Sequence, residues 1–129
     1  MIKRPLNSRF SDAVLEGRKV TTIRDTPWPV GKPIMLYNWS GAAYRSPQID
    51  VAAVLVVETT LIRIGRVEGE IGLMCYHAER GIHPGRQLWS CEGFLSEEDM
   101  DEWFRSKFKS GQWVDKHLMR FRLLERGEA

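Results

Sequence analysis

The sequence predicts an α+β fold: a small, mostly antiparallel β-barrel or strongly curved sheet with two flanking helices, one domain spanning residues 1–129. Three observations predict it. Apolar and β-branched runs recur at residues 20–23, 34–39, 51–67 and 114–124, as expected of strands. One helical pattern stands near the start and a second before the last run. The strands do not alternate with crossover helices, which excludes a parallel doubly wound sheet; a closed or strongly curved antiparallel sheet remains.

Residues 1–7 read as an extended lead-in, with Pro5 unsuited to a helix interior. Asn7 or Ser8 is placed to cap a short helix whose buried face is Phe10, Ala13, Val14 and Gly17, at helical spacing. Gly17 suits the left-handed position that ends a helix. A strand follows from about residue 20. Residues 26–33 hold three prolines and a glycine and read as a loop. The strand at 34–39 leads into a longer loop at 40–50. Residues 51–57 are continuously apolar, as in a strand covered on both faces. After 58–60 the pattern alternates, which predicts a bend or bulge and a solvent-facing Arg63. In residues 68–95 the glycines at 69, 72, 81 and 85 and Pro84 interrupt any long element, and a short helix is expected near 71–78. Ser96 then caps a helix with Glu97, Glu98 and Asp99 in its first turn. Met100, Trp103, Phe104 and Phe108 form its apolar face, Lys107 and Lys109 suit its end, and Gly111 terminates it. In the last strand Met119, Phe121 and Leu123 alternate with Leu118, Arg120, Arg122 and Leu124.

Composition narrows the function classes. A chain of 129 residues buries a real core without disulfide staples. Its two cysteines, Cys75 and Cys91, point to buried thiols in a reducing, cytoplasmic setting. No apolar run approaches the ~20 residues of a membrane span, and the basic start lacks the apolar stretch of a signal peptide. The formal net charge of +2 does not by itself argue for nucleic acid. There is no phosphate-binding glycine loop. Cys75, His77, His83 and Cys91 follow no standard zinc spacing, so no metal is expected. Nothing calls for an organic cofactor or an obligate protein partner.

The densest chemistry lies in residues 17–25, where Arg18, Lys19 and Arg24 stand among Thr21, Thr22 and Asp25. One reading is solvated charge at a helix end and a strand edge. The other is a reactive site. A threonine beside a lysine acts as a nucleophile if the amine is neutral, which requires its pKa to fall by ~2–3 units from ~10.4. Burial and a nearby arginine push in that direction. In a regular strand Lys19 and Thr22 would point to opposite faces, so Lys19 must reach in from the turn after Gly17. Thr22 and Arg24 share a face. Glu92, just before the Ser96-capped helix, is either a surface carboxylate or a general acid or base.

Phe10, Val14-Leu15, Gly17, Lys19 and Thr22-Ile23-Arg24 resemble the early motif of the ASCH domain family, whose barrel is similar to the PUA RNA-binding domain. Gly31-Lys32 before the strand at 34–39, and Glu92-Gly93-Phe94 before an acidic helix, are similar to further family segments. The first motif is also similar to that of the bacterial N4-acetylcytidine amidohydrolases, down to Gly17-Arg18-Lys19 and Thr22-Ile23-Arg24-Asp25. This resemblance implies a PUA-like barrel and an amidohydrolase that removes an acyl group from an N4-acylated cytidine-type nucleoside. It implies Thr22 as nucleophile, Lys19 as its activator and Glu92 as proton shuttle. A second reading is a non-catalytic RNA-binding module, with Arg18, Lys19 and Arg24 on phosphates and Trp39, Tyr44 or Trp28 stacked on bases. A ribonuclease acting on single-stranded RNA is a third. The ligand expected in every case is a nucleoside or RNA.

Overall fold

A computed structural model of the chain describes residues 1–66, 74–77, 81–84, 88–105, 107 and 111–125. The extended lead-in is a strand, β1 (Ile2–Pro5), followed by a single 3-10 turn, Ser8–Phe10. Asn7 caps that turn, its side chain accepting from the Arg9 N–H. The turn runs into α1 (Ser11–Leu15), and Gly17, at φ 77°, takes the left-handed conformation expected of it. Three strands follow: β2 (Thr21–Arg24), β3 (Pro33–Trp39) and β4 (Gln48–Gly65). A hairpin, β5 (Met74–His77) and β6 (Gly81–Pro84), leads to α2 (Trp89–Glu92), α3 (Glu97–Arg105) and β7 (Trp113–Leu123).

β4 is the spine of the sheet. Its first half pairs antiparallel with β3 through Gln48 to Leu55, and its end pairs with β5 through Ile62 to Gly65. β7 runs along β4 from Val54 to Gly65, and β2 pairs with β7. β1 joins β3 in parallel, which makes the seven-stranded sheet mixed, though mostly antiparallel. The register of β4 against β7 shifts between Val56 and Glu58, where the change of pattern predicts a bulge.

Three expectations are corrected. The sheet does not close into a barrel: among the described residues no ladder joins β1 to β2. A side chain spans that opening instead, as Arg24 Nη2 donates to the Pro5 carbonyl at 3.0 Å. Where a helix is expected near 71–78, the described residues form strand β5, whose backbone pairs with both β4 and β6. Continuous apolar cover on both faces of residues 51–57 is not realised, because Val54 and Val56 are fully buried while Val57 is 45% exposed. The expected contributions of Phe108 and Lys109 lie outside the described residues.

The core joins one face of the sheet to the helices. Ile34, Leu36, Val54, Val56, Ile64 and Met119 are buried there with Val14 and Met100. Ser96 caps α3 as its sequence requires, its Oγ accepting from the Asp99 N–H at 3.1 Å, and Met100 and Phe104 face inward. Arg63 is exposed and bonded to Asp115 Oδ1 at 2.9 Å. Among the described residues no helix is long and apolar enough to cross a membrane. Leu36 is completely buried at the centre of this core. Leu36→Ala should cost about 2–5 kcal/mol, measured as a lower urea midpoint with an unchanged m-value.

Candidate functional site

The site forms where the first helix hands over to β2. Gly17 and the following backbone turn the chain sharply, and both the Arg18 and Lys19 N–H groups return to the Ala13 carbonyl, at 2.8 and 2.9 Å. Lys19 therefore lies in the corner, outside the strand, which satisfies the condition for it to approach the Thr22 face. Its side chain is only 5% exposed. Nζ donates to two backbone carbonyls, Thr21 O at 2.9 Å and Glu92 O at 2.8 Å, and stands 4.8 Å from the centre of the Phe10 ring.

Glu92 arrives from the far end of the chain on α2, an element the sequence reading does not anticipate. Gly93 ends this single turn in the left-handed conformation, φ 89°. A Cβ at Gly93 would lie 3.0 Å from the Lys19 Cβ and 3.3 Å from the Ala13 Cβ, so the close approach of α2 to the Lys19 corner requires glycine. The Val20 N–H donates to the Cys91 carbonyl at 2.8 Å and locks α2 against the start of β2. The Glu92 carboxylate is 4% exposed, with Oε1 4.0 Å from Lys19 Nζ. Its Oε2 accepts a hydrogen bond from the Thr21 hydroxyl.

Lys19, Thr22, Arg24 and Glu92 line one cleft of about 370 Å³, walled by Phe10, Phe94, Trp103 and Phe104. Phe10 meets Phe94 edge-on at 5.2 Å between ring centres, and Trp103 at 5.5 Å. Arg24 Nε donates to the Thr22 hydroxyl oxygen at 2.9 Å, and its guanidinium lies over the Trp28 ring at 4.9 Å. Because Thr22 accepts this bond, its own proton remains available to another acceptor.

Burial is the main force on these charges. Desolvation pulls the Lys19 amine below its ordinary 10.5; the Glu92 carboxylate opposes this and the Arg24 charge adds to it. Arg24 is likewise lowered by burial, partly offset by Glu92. It stays charged at neutral pH, as a guanidinium does.

Not every expected site residue reaches the cleft. Arg18 is exposed and paired with Glu16 Oε2 at 2.7 Å. Trp39 and Tyr44 do not line the cleft; their rings lie 5.2 Å apart on the β3–β4 connection, where Tyr44 is 88% exposed. The side chains of Cys75, His77 and His83 lie outside the described residues, although Cys75 and His83 are backbone partners across β5 and β6. Among the described residues no cluster of His, Cys, Asp or Glu is placed to hold a metal ion. Cys91 is a half-buried free thiol whose Sγ donates to Leu88 O at 3.3 Å.

The sequence reading gave no role to Thr21, which is buried and bonded to Glu92, or to the aromatic wall. The available signal for α2 is Gly93, a helix-ending glycine directly after Leu88-Trp89-Ser90-Cys91-Glu92. No family model, curated protein or solved structure matches the chain.

Two measurements follow. Glu92→Ala removes the countercharge of Lys19, the acceptor of Thr21 and the side-chain volume and should cost roughly 3–5 kcal/mol of stability, read by urea unfolding; Glu92→Gln loses the charge but keeps the shape and a partner for Thr21, and should cost less. The second is a pH dependence. Because Lys19 titrates below 10.5 when folded, the unfolded chain holds more protons between its folded pKa and 10.5, so stability rises with pH across that window. Relative to Lys19→Met, the native chain should gain stability between neutral pH and 10.5, and a constant difference would contradict the shift.

Proposed function

We propose that this protein is an ASCH-type amidohydrolase that removes the acyl group from an N4-acylated cytidine-type nucleoside. The observation that carries the reading is the convergence of Lys19 and Thr22 with Glu92, distant from both in sequence, on one aromatic-walled cleft. The early motif from Phe10 to Arg24 resembles that family, and the curved α+β sheet suits an opened relative of its PUA-like barrel. The cleft is wide enough for a nucleoside, and Phe10, Phe94 and Trp103 offer apolar faces to a pyrimidine.

In this mechanism the Thr22 hydroxyl attacks the acyl carbonyl carbon and Lys19, as the neutral amine, takes its proton. A neutral lysine has two N–H bonds and one lone pair. The Thr21 and Glu92 carbonyls engage two directions around Nζ, which matches an amine whose lone pair stays free. The Arg24 Nε–H already reaches the Thr22 oxygen and stabilises negative charge that develops there. Collapse of the tetrahedral intermediate breaks the C–N4 bond. Glu92 relays a proton to the departing amine, and water then hydrolyses the Thr22 ester, releasing the carboxylic acid.

The burial of Lys19 weighs against the RNA-binding reading. A 5% exposed ammonium bonded to two carbonyls is poorly placed to neutralise a backbone phosphate. Of the other residues that reading uses, Arg24 lines the cleft, but Arg18 and the Trp39–Tyr44 pair lie outside it.

Incubation with N4-acetylcytidine, following release of cytidine, tests the proposal. Folded protein without turnover above buffer would remove the substrate assignment. Lys19→Arg should lose activity by roughly 10⁴-fold or more, since guanidinium cannot accept the proton, and Thr22→Val should match it because the pair acts as a unit. Arg24→Lys keeps a cation and should retain partial activity. A fully active Lys19→Arg enzyme would take lysine out of the mechanism.

A further inference from the structure

The proposed chemistry uses Lys19, Thr22, Arg24 and Glu92, yet the same cleft carries two more cations, Lys107 and Lys116. A neutral acylated nucleoside has no use for them. Among the described residues that line the cleft, four basic side chains stand with two carboxylates, Asp25 and Glu92. One of the two, Glu92, is buried and held by Thr21.

Lys107 follows α3 at the position one turn beyond Trp103. Its Nζ lies 4.7 Å from the Trp103 ring centre and 5.8 Å from that of Phe104. This places an ammonium at the end of the aromatic wall. Lys116 projects from β7, its side chain 20% exposed, and bonds Asp25, whose own side chain is 80% exposed. The Asp25 carboxyl is held below its usual range first by the Lys116 hydrogen bond and charge, with a further contribution from Lys107. Both lysines line the same cleft as Asp25, and Lys116 is its bonded partner. The Asp25 side of this pair is open to water, which weakens it, so a ligand anion carrying more charge can take Asp25's place while Asp25 turns into water.

We infer that the mouth of the cleft binds a phosphate monoester through Lys107 and Lys116, so that the substrate is a nucleoside monophosphate whose base lies along Trp103. The inference rests on the hydrolase reading for the base and its acyl group, but the phosphate subsite is separately measurable. Two lysines suit a phosphate as point charges and do not require the fork geometry of arginine.

The experiment compares N4-acetylcytidine with its 5′- and 3′-monophosphates in hydrolysis, and cytidine with the corresponding cytidine monophosphates in calorimetric binding. One phosphate isomer should show a kcat/KM at least roughly tenfold above the nucleoside at low salt, the scale of two exposed charge contacts. The advantage should shrink as salt is added. In Lys107→Ala/Lys116→Ala the ratio of monophosphate to nucleoside should fall towards one, and Lys107→Glu, an exposed change that spares the core, should invert it. If no acylated compound turns over but a cytidine monophosphate still binds more tightly than cytidine in a lysine-dependent way, the hydrolase reading fails and the phosphate subsite stands. Equal binding and equal turnover of nucleoside and both monophosphates would overturn the subsite.

Discussion

The architecture around the cleft depends on one costly act, the burial of the Lys19 amine. Taking an ammonium out of water costs several kcal/mol even after relaxation, and the chain meets that cost by surrounding Nζ with acceptors. Two carbonyls lie within 2.9 Å and a carboxylate oxygen at 4.0 Å. Each acceptor constrains a separate part of the fold. Thr21 O belongs to β2, Glu92 O to α2, and the Lys19 N–H returns to the end of α1 at Ala13. One residue therefore ties three elements together, two through its side chain and one through its backbone.

Among the described residues β1 and β2 share no ladder. Here the outward edge of β2 is engaged by α2 through the Val20 N–H to Cys91 carbonyl bond, while the Phe121 N–H donates to the Val20 carbonyl on the β7 side. Arg24 reaches across to Pro5 and to Thr22 together. It thus bridges β1 and β2 and holds the Thr22 hydroxyl.

What the sequence made legible was local. The Gly17 corner, the start of β2, the Ser96 cap and a bulge in β4 all announce themselves through residues within a few positions of one another. The pairing of Lys19 with Thr22 on one cleft was legible as a geometric condition, that Lys19 stand outside the strand. The failures are non-local. The segment at 71–78 carries no decisive periodicity, and β5 exists because β4 offers it an edge at Ile62 to Gly65. α2 is too short to show a helical period, and Glu92 is buried only because Gly93 allows α2 to touch the Lys19 corner. Tyr44 and Trp39 looked like base-stacking residues by type, but their loop leaves them away from the cleft.

The charges of the cleft divide by solvation, and this division separates their possible work. Lys19 and Glu92 are about 5% exposed and have partners fixed by the backbone. Exchanging those partners for a ligand would leave carbonyls or a carboxylate unsatisfied in a dry environment, at a cost of at least ~1–3 kcal/mol for each group. Such groups are suited to moving a proton without moving themselves. At the mouth the balance reverses. Asp25 is 80% exposed and Lys107 rests against aromatic rings, so water compensates either one when its partner changes. The buried pair holds its geometry while the outer charges adapt, and a ligand meets the adaptable set before it reaches the rigid one.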